Sequence, residues 1–173
     1  MAISIYQITV PVFIHLLNNL TGILKKGEKF AKEKDIEQEA MLEGRLAPDM
    51  FPLSKQIQLV CDLSRRCVER LAGMDVCSTE DNEKTFAEFY DRISNTVAFL
   101  ESVKPEQLDG AEEKIVTIKM RDGEHKCRGL DMALYFSIPN VYFHVTTAYD
   151  ILRHNYVDLG KKDFIGEIPH VDS

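Results

Sequence analysis

From Ile5 to Phe30, apolar residues return every three or four positions: Ile5, Ile8, Val12, Phe13, Leu16, Leu20, Ile23, Leu24 and Phe30. That spacing draws one apolar stripe down a helix and gives a strand no consistent inner face. It predicts a helix over Ser4 to Lys34, kinked or restarted at Pro11. A helix this long needs partners for its stripe, and the rest of the chain supplies them.

A short helix is expected from Glu37 to Glu43, with Asp35 as its N-cap. The run Arg45 to Pro52 reads as irregular, because Pro48 and Pro52 bias the residues before them away from helix. A long helix should start near Pro52, carry Leu53, Ile57, Val60, Cys61, Leu63, Ser64, Cys67, Val68 and Leu71, and stop at Gly73. Cys77 to Asp81 reads as a turn. A third helix is expected from about Asn82 to Val103, with Phe86, Phe89, Tyr90, Ile93, Val97 and Leu100 inward and Pro105 closing it. The period then changes. Lys114 to Met120 is rich in β-branched residues, Asp122-Gly123 suits a type I′ turn, and Glu124 to Arg128 follows, which together predict a hairpin. Helix resumes near Leu130, is interrupted at Ile138-Pro139, and runs on from Asn140 to Asn155. The tail Gly160 to Gly166 carries Phe164 and Ile165, which need covering. The sum is an all-α chain, residues 1–173 as a single domain: an up-down four-helix bundle with a small β-hairpin between the third and fourth helices.

The formal net charge is −7. The basic residues cluster only as the pairs Lys25-Lys26, Arg65-Arg66 and Lys161-Lys162, so the phosphate-neutralising surface of a nucleic-acid binder is not expected. The apolar stretch Ile8 to Leu17 is far short of the ~20 residues of a membrane span and has neither the flanks nor the cleavage site of a secretory signal. Cys61, Cys67, Cys77 and Cys127 contain no C-x-x-C pair, which reads as reduced thiols in a cytoplasmic protein. Cys61 and Cys67 suit packing better than reactivity.

Among the histidines, His125 is expected on the exposed hairpin, His170 in the tail, and His15 at the core edge with one hydrogen bond. His144 and His154 share the last helix. Ten residues at ~1.5 Å rise part them by about 15 Å, too far for one ion. Ala148 stands four beyond His144, where a second imidazole on the same face would be. His144, Thr147 and Tyr149 are polar groups in an otherwise apolar run. His144 and Thr147 share a face, so they belong either to an internal hydrogen-bond network or to a pocket lining. Asp49, in its proline-bounded loop, reads either as a cap of the second long helix or as a carboxylate facing His144.

The runs Arg45-Leu46-Ala47-Pro48-Asp49-Met50-Phe51-Pro52-Leu53, Arg70-Leu71-Ala72-Gly73, Phe86-Ala87-Glu88, Pro139 to Tyr149 and Ile151 to Asn155 resemble an uncharacterised bacterial and fungal family. That family lies within the DinB/YfiT-like metalloenzyme superfamily, and the resemblance spans Ile5 to Gly166. It implies a four-helix bundle with a pocket at one end. In better-known members, a histidine near the start of the second long helix and an H-x-x-x-H pair on the last bind a divalent metal. Some members act on low-molecular-weight thiols, and dimers are common. Here no histidine lies from Met50 to Gln56, and the last helix offers only His144 of the pair. His144 alone is carried over, as a pocket residue, without a metal.

Two functions are thereby in view. One is a small-molecule site using Asp49, Gln56, His144 and Thr147, with Asp49 and His144 as acid/base partners. The other is a homodimeric interaction or scaffold protein, for which Phe13, Leu17, Tyr135, Phe136, Tyr142 and Phe143 supply apolar surface.

Overall fold

The computed structural model describes residues 3–120 and 122–168. Helix α1 (Ile5–Glu33) opens with a capping box: Ser4 Oγ accepts from the Gln7 amide at 3.2 Å, and Gln7 Oε1 accepts from the Ser4 amide at 2.9 Å. The helix runs unbroken past Pro11. That residue lies on the exposed side near the start, where water can satisfy the carbonyl it leaves without a donor. By length and composition α1 could cross a membrane, yet its stripe is spent on the core, with Phe13, Leu17, Leu20, Ile23 and Leu24 fully buried. Phe13 and Leu17 therefore offer no surface to a partner. Gly22 faces outward from α1 with nothing within 4 Å of a built Cβ. Gly22→Ala should accordingly raise stability by ~0.5–1 kcal/mol in urea unfolding, through backbone entropy alone.

Short α2 (Gln38–Leu42) starts at Glu37 without a side-chain cap. Asp35 does not cap it. It takes a left-handed backbone (φ 52°) that turns the chain out of α1. Helix α3 (Leu53–Ala72) stops at Gly73, whose φ of 69° is the left-handed turn that lets Met74 N–H return to the Glu69 carbonyl at 2.8 Å. Helix α4 (Phe86–Ser102) begins four residues later than the apolar pattern suggests. A Thr85/Glu88 capping box fixes the start, and residues 74–84 stay irregular. A 3₁₀ turn (Pro105–Leu108) leads to the hairpin of β1 (Ile115–Met120) and β2 (Gly123–Arg128). The strands pair antiparallel from Ile115↔Arg128 to Met120↔Gly123, so Gly123 opens β2 and is not a central residue of the turn. Val116 and Ile118 seat the hairpin, both buried on alternate positions.

Helix α5 (Gly129–Met132), a π turn (Ala133–Ser137) and α6 (Ile138–His154) form one continuous helical run. The expected break at Pro139 is absent. The widened turn absorbs the missing N–H, and Asn140 Nδ2 donates to the Phe136 carbonyl at 2.6 Å. The four long helices share one hydrophobic core, with α6 packed most extensively on α3 and α1 on α4.

Helix α7 (Lys161–Ile165) closes the described chain against α1. Phe164 meets Tyr149 edge-on, centroids 6.3 Å apart, while Ile165 remains partly exposed. His15 Nε2 lies 2.6 Å from the Ile165 carbonyl and 3.1 Å from Asn19 Nδ2, so this core-edge imidazole has two polar neighbours where one hydrogen bond was expected. His125 pairs with Asp122 at 2.9 Å on the exposed hairpin, and His170 lies outside the described residues.

Candidate functional site

Gln56 sits one turn into α3 and points inward, 1% exposed. Its amide nitrogen donates back to the Phe51 carbonyl at 3.0 Å. With the donor end held by a carbonyl, the acceptor end faces α6. There Oε1 lies 2.7 Å from His144 Nδ1. The partners settle the tautomer: Nδ1 carries the proton and donates, leaving Nε2 with a bare lone pair in the neutral ring. Nε2 has no partner among the described residues, and His144 as a whole is 9% exposed. Phe143 stands edge-on to the imidazole, centroids 5.3 Å apart at 84°. Phe143 is 56% exposed and gives the ring an apolar neighbour.

Burial pushes the His144 pKa below the ordinary histidine value, because the charged ring is poorly hydrated there. The native state then binds this proton less readily than the unfolded chain does. The stability cost is absent above the unfolded pKa of about 6.5 and grows as pH falls from there to the native pKa. Denaturation midpoints should therefore fall more steeply below neutrality in the wild type than in His144→Gln.

The other two expected site residues make no hydrogen bond to this pair among the described residues. Asp49 is exposed on its loop and makes no hydrogen bond or ion pair among the described residues. The N-cap position of α3 is Pro52, with no side-chain cap bond, so Asp49 does not cap the helix either. Thr147 is buried on the His144 face, but its hydroxyl donates to the Phe143 carbonyl of its own helix at 2.8 Å. Of the four, the fold joins Gln56 and His144.

A divalent ion does not fit this donor set. His144 Nδ1 is already engaged, Gln56 offers a neutral amide oxygen, and Ala148 offers nothing. Among the described residues no group of three or more His, Cys, Asp or Glu is arranged to hold a metal. Two hollows lie elsewhere. One of about 590 Å³ lies between the end of α1, α2 and the start of α4, and one of about 270 Å³ lies between α3, α4 and the connector joining them.

Sequence reasoning passed over the second hollow's main residue, Arg92. Its side chain is 5% exposed and holds Asp62 at 2.7 Å, Asp81 at 3.1 Å and Glu83 at 2.6 Å. Burial alone would lower its pKa, but hydrogen bonds to Glu83 and Asp62 raise it, so it stays charged. Lys55 also pairs with Asp81, Gln58 donates to Glu83 at 2.9 Å, and Arg66 pairs with Asp62 at 2.8 Å. The available signal was an arginine beside Ile93 in the inward stripe of α4, preceded by the acidic run Glu80-Asp81-Asn82-Glu83.

Residues 5–165 match the profile of a domain of unknown function, DUF1993. The structure is similar to the crystal structure of a DinB family member protein from Shewanella denitrificans, with a TM-score of 0.90 and 37% identity over 97% of this chain and 95% of that one. No curated protein matches the sequence.

Proposed function

Because the chain belongs to the DUF1993 family of domains of unknown function, we propose that it is an up-down DinB-like four-helix bundle that binds a small molecule at the His144–Gln56 pair without a metal. The observation that carries the reading is the relay from the Phe51 carbonyl through Gln56 to His144, which fixes the ring and leaves Nε2 without a partner among the described residues. Gln56 near the start of the second long helix and His144 on the last occupy the helices from which the superfamily resemblance draws its metal ligands. Here a 2.7 Å hydrogen bond joins them directly. A neutral imidazole so held accepts a hydrogen bond from a ligand hydroxyl or N–H, and has the geometry to take its proton. Phe143, edge-on to the ring and half exposed, offers contact to the apolar part of such a ligand. The four free cysteines, two of them buried in the core, support a cytoplasmic setting, and the net charge of −7 speaks against nucleic acid.

Thermal-shift screening against a metabolite library, followed by calorimetry of each hit, tests the reading. His144→Ala should abolish binding while costing ~1–2 kcal/mol, a fall in Tm of only a few degrees. A hit that binds the variant as tightly as the wild type would place the site elsewhere.

A second reading has its own observation. Tyr135, Tyr142 and Phe143 are exposed on the run that ends in α6, Tyr135 at 80%. Such an aromatic surface suits a homodimer or scaffold contact. Sedimentation showing a monomer at micromolar concentration removes this reading, and a dimer lost in Tyr135→Ser/Phe143→Ser supports it.

A further inference from the structure

We infer that the connector between α3 and α4, residues 74–85, is a latched strap that lifts from the hollow beneath it while the long helices stay folded. The strap has no helix or strand, and its largest apolar residues, Met74 and Val76, are exposed. Almost everything that holds it is polar. Asp81 is gripped by Lys55 and Arg92, Glu83 by Arg92 and Gln58, and the Glu80 carbonyl by Arg92 at 3.0 Å. The Cys77 amide donates to Glu69 at 3.2 Å. Segments that bury little apolar surface open locally at less free energy than the whole fold does.

Thr79, Asn82 and Glu83 of the strap wall one side of the 270 Å³ hollow, and Cys61 and Thr96 line it from α3 and α4. In the latch itself three carboxylates (Asp62, Asp81, Glu83) face three cations (Lys55, Arg66, Arg92), so it is neutral when closed. Nearby charges are occupied separately. Arg65 pairs with Glu69, Glu88 bonds to the backbone at the start of α4, and Asp91 is exposed. Gly73, already in a left-handed conformation, is the hinge on the α3 side, and the Thr85 cap is the hinge on the α4 side. When the strap lifts, Arg92 keeps Asp62 as its partner, and Cys61 meets solvent from a site where burial pushes its pKa to about 12.

Cys61 reports the motion, and Cys67, buried at 0% exposure elsewhere in the core, reports global unfolding. The probe is iodoacetamide on a Cys77→Ser/Cys127→Ser background. The thiolate sulfur displaces iodide, the thiol proton passes to solvent, and mass spectrometry assigns the alkylated site. Cys61 should be alkylated faster than Cys67, at a rate that barely responds to low urea, whereas the Cys67 rate climbs with urea. Adding Asp81→Asn/Glu83→Gln should raise the Cys61-to-Cys67 rate ratio about tenfold or more. The two cysteines reacting in step, with one urea dependence and an unchanged ratio, would overturn the inference.

Discussion

Arg92→Met is expected to destabilise the protein by about 3–5 kcal/mol, because it leaves buried carboxylates without their counter-charge. Asp62 and Glu83 are largely buried against the guanidinium at 2.7 and 2.6 Å, and both lose it at once. Asp62 keeps Arg66 and Glu83 keeps the Gln58 amide, which tempers the loss but does not cancel it. For a chain of this size the change corresponds to a fall in Tm of roughly 10 °C. Guanidinium unfolding is a poor assay here, since the denaturant is itself a salt that screens the pairs, so urea is the choice. The sign can be separated from mere loss of packing. Methionine keeps most of the aliphatic stem, so restoring neutrality with Asp62→Asn in the same chain should recover part of the loss. A variant as stable as the wild type would show that the cluster is decorative.

Gly129→Ala is expected to cost about 3 kcal/mol, at the upper end for forcing atoms into a packed site. Gly129 joins β2 to α5, and its amide donates to the Lys114 carbonyl at 2.8 Å. A Cβ there would lie 2.1 Å from the Ala111 carbonyl oxygen and 2.8 Å from Leu71 Cδ2. The leucine can rotate, but the obstructing oxygen is backbone and cannot move alone. The hairpin base must lift from α3, straining the neighbouring bond from Leu130 N–H to the Glu112 carbonyl. Circular dichroism in urea measures the loss, and Gly22→Ala, with open space around its Cβ, is the matched control. Equal effects at the two positions would mean that the hairpin does not dock as described.

The long helices were legible because a stripe such as Phe13, Leu17, Leu20 and Leu24 names its own inner face. Local chemistry was legible too where the deciding atoms are neighbours in sequence. The αL stop at Gly73 and the hairpin strands are of that kind. The start of α4 was misread because apolar periodicity cannot weigh a Thr85/Glu88 capping box against an acidic run that pairs with other helices. Pro139 reads as a break in one dimension, yet a π turn carries the helix through it. His144 stood out as a polar group in an apolar run and Gln56 was a candidate beside it, but their bond spans 88 residues and no spacing encodes it. Asp49 is the converse: its loop position beside prolines was plain in the sequence, whereas the water-facing placement that leaves it outside the Gln56–His144 bond was not. Arg92 escaped notice because its partners come from α3 and from the connector.

The protonation of the His144 ring tests the central claim most directly. Long-range proton–nitrogen correlation spectra of the protein as purified, at neutral pH, should show a neutral His144 imidazole with the proton on Nδ1 and an unligated Nε2. An Nε2-protonated ring, an imidazolium, or a nitrogen shifted by a bound metal ion would contradict it.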